Sequence, residues 1–261
     1  MNVFGFCNIA LIPVRAMTNH RSEMVTQLLF GEAYRIIDST PVVGWVEIET
    51  VFDNYKGFID IGQVALMHPS SLEKYYETSS CNVAPSQLLI IDRQRNFSFF
   101  IPTGTSLPMY DERNIRLGAE CFELPEKIVS SSNVPTEKLK HIALSFLNAP
   151  YLWGGRTCLG IDCSGLNQVV FKTIGICLPR DASQQILTGQ VVPSVSDARL
   201  GDLAFFENKD GKITHTGIVW ENGTILHASG KVRIDKLDIQ GVFSLEKEEY
   251  THQLNTIKRI L

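Results

Sequence analysis

The feature that most constrains the fold is a hairpin signal late in the chain, where Asn222-Gly223 stands between two strand-like runs, ITHTGIVW (213–220) and TILHAS (224–229). Asn-Gly flanked by apolar alternation is the strongest short-range mark of two antiparallel strands. Register matters as much as pairing, because a slip of one residue sends every side chain to the other face. A two-residue Asn-Gly loop pairs His227 with Ile218 and sets His215 on the opposite face. A three-residue loop, Glu221-Asn222-Gly223 with Gly223 left-handed, pairs His227 with Gly217 and brings both histidines to one face. That odd loop, or a bulge, is therefore the expected form.

Upstream lie PYLWGG (150–155), GIDCSG (160–165) and the apolar run LNQVVFKTIGI (166–176). Leu166, Val169, Val170 and Ile174 recur near helical spacing, and Gly175 is placed to end a helix. Cys163 then stands at a helix N-terminus, whose partial positive charge favours a thiolate and whose unpaired N–H groups could hold an oxyanion. Such a nucleophile needs a base. His215 is expected to take the thiol proton, and His227 to bond the other ring nitrogen of His215 and orient it. Cys163, His215 and His227 are the expected catalytic triad.

Composition excludes several other readings. The 261 residues carry a formal charge of -4, with no run of Lys and Arg able to neutralise a row of phosphates, so nucleic acid is not an expected partner. The opening residues lack a basic leader and a small-residue cleavage site, and no apolar stretch reaches bilayer length. A soluble, cytoplasmic, monomeric protein with no membrane partner is expected, export requiring a segment absent from this sequence. Six cysteines are read as reduced thiols. Cys7, Cys81, Cys121 and Cys177 are assigned to packing, and Cys158 to a loop near the site. The spacing of Cys158 and Cys163 does not suit zinc, so neither metal nor cofactor is expected. His20, His68, His141 and His252 have no setting comparable to His215 and His227. Arg180 is read as a structural anchor, Asp202 as a turn or capping residue, and Trp153 as part of the cleft wall.

Toward the N-terminus, short β-rich runs (MVTQLLF, GEAYRIID, VVGWVEIET, YKGFIDIG) alternate with turn signals and suit a small closed barrel. Residues 70–80 turn polar, and a second β-rich stretch from Gln87 to about Leu124 reads as another, degenerate barrel. Residues 130–137 have linker composition, with Thr136 as the expected helix N-cap. The expected domains are 1–70, 71–132 and 133–261.

Two resemblances follow from these motifs. Arg15, residues 22–27, Gly31-Glu32, Gly44-Trp45-Val46 and Tyr55-Lys56-Gly57-Phe58 resemble the bacterial SH3-like domain. Residues 151–155, Asp162-Cys163-Ser164-Gly165, Leu178-Pro179-Arg180 with Ser183 and Gln185, Leu200-Gly201-Asp202-Leu203, His215-Thr216-Gly217-Ile218 and His227-Ala228 resemble the NlpC family of cell-wall peptidases. The resemblance implies an α+β papain-like (NlpC-type) catalytic domain preceded by one or two small all-β SH3-like barrels. It implies murein-derived peptides as substrates, cut after a γ-linked D-glutamyl residue by a Cys-His-His site. Tyr151 would line that site, Trp153 would flank it, and Asp162, Ser164 and Ser183 would hold the substrate's amine. In members with SH3-like domains the first such domain closes one end of the cleft with an acid and a tyrosine, here Glu23 and Tyr55, selecting a free N-terminal L-alanine. Recycling of free peptides is the expected role. The alternatives are an exported hydrolase of intact wall and a non-catalytic wall-peptide-binding module.

Overall fold

Apolar alternation builds the first six strands: β1 (Val3–Phe6), β2 (Leu11–Arg15), β3 (Met24–Leu29), β4 (Ala33–Val42), β5 (Trp45–Thr50) and β6 (Lys56–Asp60). In the computed structural model, which describes residues 3–79, 83–128 and 134–261, they form one sheet in the order β1-β4-β5-β6-β2-β3. Cys7 N donates to Glu32 O at 2.9 Å and Gly31 N to Cys7 O at 2.8 Å, tying the end of β1 to the turn after β3 and closing the barrel. Ile12, Val14, Leu28, Tyr34, Ile48 and Ile59 fill it. Closure removes the exposed edges that strands this short would otherwise present.

The stretch expected as a second, degenerate barrel at 71–132 holds, among the described residues, one helix and a four-stranded sheet. The polar segment is a helix, α1 (Pro69–Ser79), and behind it β7 (Leu88–Asp92), β8 (Phe97–Ile101), β9 (Asn114–Leu117) and β10 (Glu120–Glu123) make an open sheet in the order β8-β7-β10-β9. The apolar face of this sheet is covered from the barrel. Phe6, Phe30 and Ala33 join Tyr75, Ile90, Ile101, Ile115 and Phe122 in one core. At Gly31 (φ +77°) a Cβ would lie 2.1 Å from Ser106 O, so only glycine lets the two segments approach this closely. Residues 1–131 are accordingly one compact unit, and residues 132–261 are a second. Cys81 lies outside the described residues.

The second unit begins with α2 (Pro135–Ser145). Val134 occupies the N-cap, two positions ahead of the expected Thr136, because Pro135 suits the first helical position. Next come β11 (Arg156–Thr157), β12 (Gly160–Ile161), α3 (Cys163–Lys172) and α4 (Ala182–Gln185). The sheet follows: β13 (Gln190–Val191), β14 (Leu203–Glu207), β15 (Ile213–Val219), β16 (Thr224–Ser229), β17 (Lys231–Leu237), β18 (Gly241–Ser244) and β19 (Glu249–Arg259). Its order is β13-β19-β14-β15-β16-β17-β18, and β19 also pairs with β18. Register shifts at Phe205/Phe206 and Val242/Phe243 let β19 bend across both edges and close a second barrel.

Residues directly opposite in an antiparallel ladder share a face. Ala204, Phe206, Val219, Ile225, Leu237, Val242 and Ile257 make the apolar core of this barrel. Further along the same strands its lining turns polar, with His215 opposite Phe206 and His227 opposite Gly217. Helix α3, with Leu166, Val169, Val170 and Phe171 fully buried, packs on β15 and β16. Among the described residues no helix is long and apolar enough to cross a membrane.

Candidate active site

Cys163 is the first residue of α3, and the loop before it explains the crowding of glycines. A Cβ on Gly165 would lie 2.4 Å from Gly155 O, and one on Gly155 would lie 2.4 Å from Gly160 O. Asp162 caps the helix: Oδ1 accepts from Gly165 N at 2.7 Å and Oδ2 from Gly154 N at 2.8 Å. The same carboxylate pairs with both terminal nitrogens of Arg180, which is only 1% exposed, and Ser164 Oγ bridges the two residues. Arg180 is thus the anchor the sequence suggested. Asp162 and Ser164, expected to meet a substrate amine, spend their hydrogen bonds holding the start of α3.

The thiol of Cys163 is buried and receives backbone N–H groups from Thr216 and Ser164. Burial, and after it the Asp162 carboxylate, nonetheless push the thiol up to about 12, against the pull of Thr216 N–H, Arg180 and Ser164 N–H. Desolvation and a neighbouring negative charge thus oppose the helix end, and the thiol needs a base to take its proton. Tyr151 lies near enough for its phenol to be pushed up to about 12 by burial, then by Cys163 and Asp162.

The hairpin has the predicted three-residue loop: Trp220 N donates to Thr224 O, Gly223 is left-handed at φ +67°, and Gly217 pairs with His227. His215 Nε2 lies 2.9 Å from His227 Nδ1. Strands β15 and β16 pair only from Gly217 and His227 toward the loop. On the other side of that pair Thr216, the residue that follows His215, turns its N–H to the Cys163 thiol. Burial first, then His252 and His227, hold the His215 imidazole well below its ordinary value, so the base rests neutral.

Two further residues join the cluster: His252, for which the sequence showed no setting comparable to His215 and His227, and Asp235, which no motif marked. His252 on β19 stacks on His215, with ring centroids 4.0 Å apart and planes at 23°. Asp235 on β17, 2% exposed, places Oδ2 at 3.2 Å from His227 Nε2. Of the remaining expected site residues, Trp153 is 58% exposed and Ser183 is exposed on α4. Glu23 is exposed just before β3, and Tyr55 is half-buried between β5 and β6, both in the first unit.

His215, His227 and His252 bring three ligand nitrogens within 4.8 Å of one another. Their arrangement suits proton handling better than metal binding. Stacked rings send their in-plane lone pairs nearly side by side rather than toward one point, and both nitrogens of His227 already have partners.

The model of the NlpC/P60 family matches residues 148–250, and that of the bacterial dipeptidyl-peptidase SH3 domain matches residues 14–64. The chain is 34% identical over 166 residues to the gamma-D-glutamyl-L-lysine dipeptidyl-peptidase of Bacillus subtilis, covering 63% of this chain and 50% of that one. It therefore spans half the length of that relative. With the protein of the same name from Bacillus cereus it shares 33% identity over 254 residues, 88% of this chain and 74% of the relative. The crystal structure of an NlpC/P60 family protein from Bacillus cereus matches with a TM-score of 0.78 over 99% of both chains; at 18% identity it speaks for the fold alone. With both modules in place and a curated relative matched across most of its length, the chain belongs to the NlpC/P60 family.

Proposed function

We propose that this chain is a cysteine endopeptidase that hydrolyses the γ-D-glutamyl–L-diamino acid bond of murein-derived peptides with a free N-terminal L-Ala. The observation that carries it is the His215–His227 pair, with Thr216, the residue after His215, turning its N–H to a buried cysteine at a helix N-terminus. The activity for which the two Bacillus relatives are named supports the choice of bond, and their name as dipeptidyl-peptidases supports release of a dipeptide from a free amino end.

The resting state, neutral thiol and neutral imidazole, calls for general-base catalysis rather than a preformed ion pair. His215 takes the thiol proton as sulfur attacks the γ-carbonyl carbon of D-Glu. Cys163 N–H, which opens α3 and has no acceptor within the helix, is placed to donate to the oxyanion. Tyr151 keeps its proton at neutral pH and is a second donor. His215 then gives its proton to the leaving amine, the C–N bond breaks, and a thioester remains on Cys163. Water, deprotonated by His215, hydrolyses the thioester and restores the thiol.

A dipeptide-releasing enzyme acts most naturally on free peptides inside the cell, and recycling is the role we assign. The test is incubation with L-Ala-γ-D-Glu-L-Lys, its N-acetyl form and intact sacculi. Cleavage of the free-amine peptide alone is expected. Equal rates on free and acetylated peptides would refute the free-amine requirement, and solubilisation of sacculi would move the enzyme to the wall.

A further inference from the structure

Asp235 lies in sequence far from the cysteine and outside every motif of the site, yet the barrel delivers it to the back of the histidine pair. It is anchored from all sides. Oδ1 accepts from Leu245 N at 3.2 Å and from an Arg233 terminal nitrogen at 3.1 Å. Oδ2 meets His227 Nε2 at 3.2 Å and makes an ion-pair contact with Arg233 Nε at 2.8 Å. Arg233 is fixed in turn by Glu246 at 2.9 Å and Ser244 at 3.3 Å. Burial pushes this carboxyl up, but hydrogen bonds from His227, Arg233 and Leu245 outweigh it and hold it at about 2. It is therefore ionised at any pH where the enzyme works, and an ionised carboxylate can only accept.

That constraint propagates along the chain of rings. Because Asp235 only accepts, Nε2 of His227 must carry a hydrogen. A neutral imidazole has one such hydrogen, so His227 Nδ1 is bare and accepts from His215 Nε2, 2.9 Å away. His215 Nε2 then carries the hydrogen, and its Nδ1 is left with the lone pair. We infer that Asp235, held by Arg233, is a positioning residue that acts through His227 to leave Nδ1 of His215 bare as the base for Cys163.

The inference rests on the reading of His215 as the base, and its first test needs neither substrate nor variant. Nitrogen-15 spectra of the histidine rings in the full chain at neutral pH distinguish the tautomers. The expected spectrum has hydrogen on Nε2 of both His215 and His227. A His215 bearing hydrogen on Nδ1, or a doubly protonated His227, overturns the inference while leaving the peptidase reading in place. Asp235→Asn, whose amide can donate to His227 Nε2 and reverse the order, is expected to lower kcat by about 10²–10⁴-fold. KM should stay within roughly twofold, as for a group that acts only in the transition state. Asp235→Glu, still an acceptor, should recover part of the rate. A full wild-type kcat in a folded Asp235→Asn variant would overturn the role, whereas loss of cleavage only in Cys163→Ala would still uphold the nucleophile.

Discussion

Replacing Gly217 with alanine puts a methyl group where the two histidine-bearing strands are closest. Its Cβ would lie 2.7 Å from His227 Cβ and 2.9 and 3.0 Å from Ile225 Cδ1 and Cγ1. Carbon atoms at ordinary contact stand ~3.5–4.0 Å apart, so a neighbour must retreat by roughly 1 Å. Ile225 can turn about its side-chain bonds, but His227 Cβ is tied to a backbone paired with residue 217 itself. A 1 Å retreat of His227 stretches the 2.9 Å contact with His215 beyond hydrogen-bonding range. The expected cost is about 1–3 kcal/mol of stability from overpacking, with Tm lowered by about 2–4 °C per kcal/mol. Misplacement of a catalytic group by this distance should lower kcat about 10²-fold. Thermal melts and steady-state kinetics on L-Ala-γ-D-Glu-L-Lys measure both effects. Ile225→Val added to Gly217→Ala removes the Cδ1 contact and leaves the His227 contact, so it should recover at most a small part of the stability and none of kcat. A wild-type kcat in the single variant, or recovery of stability and kcat together in the double one, would refute the reasoning.

Three further outcomes follow from the buried charges. Because burial, His252 and His227 hold His215 below 6.5, the acid limb of kcat/KM should fall below that pH, and His252→Ala should move it upward; a wild-type limb at or above 6.5 contradicts this. His252 is held at about 4 by burial and His227, against 6.5 for a free imidazole, so the unfolded chain binds more protons between those values. Stability, complete above that window, should therefore decline as pH falls through it, with His215 adding in the same direction; urea midpoints that do not change from neutral pH to pH 5 would contradict the assignment. Arg180→Met strands Asp162 without its buried partner and should cost about 3–5 kcal/mol, read as a lower urea midpoint, whereas an unchanged midpoint would mean that the pair does not hold the start of α3.

What was legible in the sequence is what local chemistry dictates. Asn222-Gly223 between apolar runs specified a hairpin, and the need to bring His215 and His227 to one face specified its odd loop. Cys163 at a helix start followed from the glycines before it and the apolar periodicity after it. His252 was set aside because β19 reaches the site only by closing the barrel, a pairing no local pattern announces. Asp235 left a fainter trace. Gly230, left-handed at φ +71°, turns the chain between Ser229 and Lys231, and counting by twos from that turn puts Arg233 opposite His227 and Asp235 on the same face. What opposes the helix end at the thiol was not legible, because it comes from burial first and then from Asp162, the residue that caps the helix. The arrangement after residue 87 was less legible, because that four-stranded sheet shares its core with the first barrel, a long-range contact that no local pattern announces.

The central claim is that the Cys163 sulfur attacks the γ-carbonyl of D-Glu, and intact-protein mass spectrometry after rapid acid quench tests it most directly. Mixed with L-Ala-γ-D-Glu-L-Lys, the wild-type chain should gain the mass of an L-Ala-D-Glu acyl group, mapped by peptide digestion to Cys163 and absent from Cys163→Ala. Release of L-Ala-D-Glu by the Cys163→Ala variant, or an acyl group carried on any other residue, would contradict it.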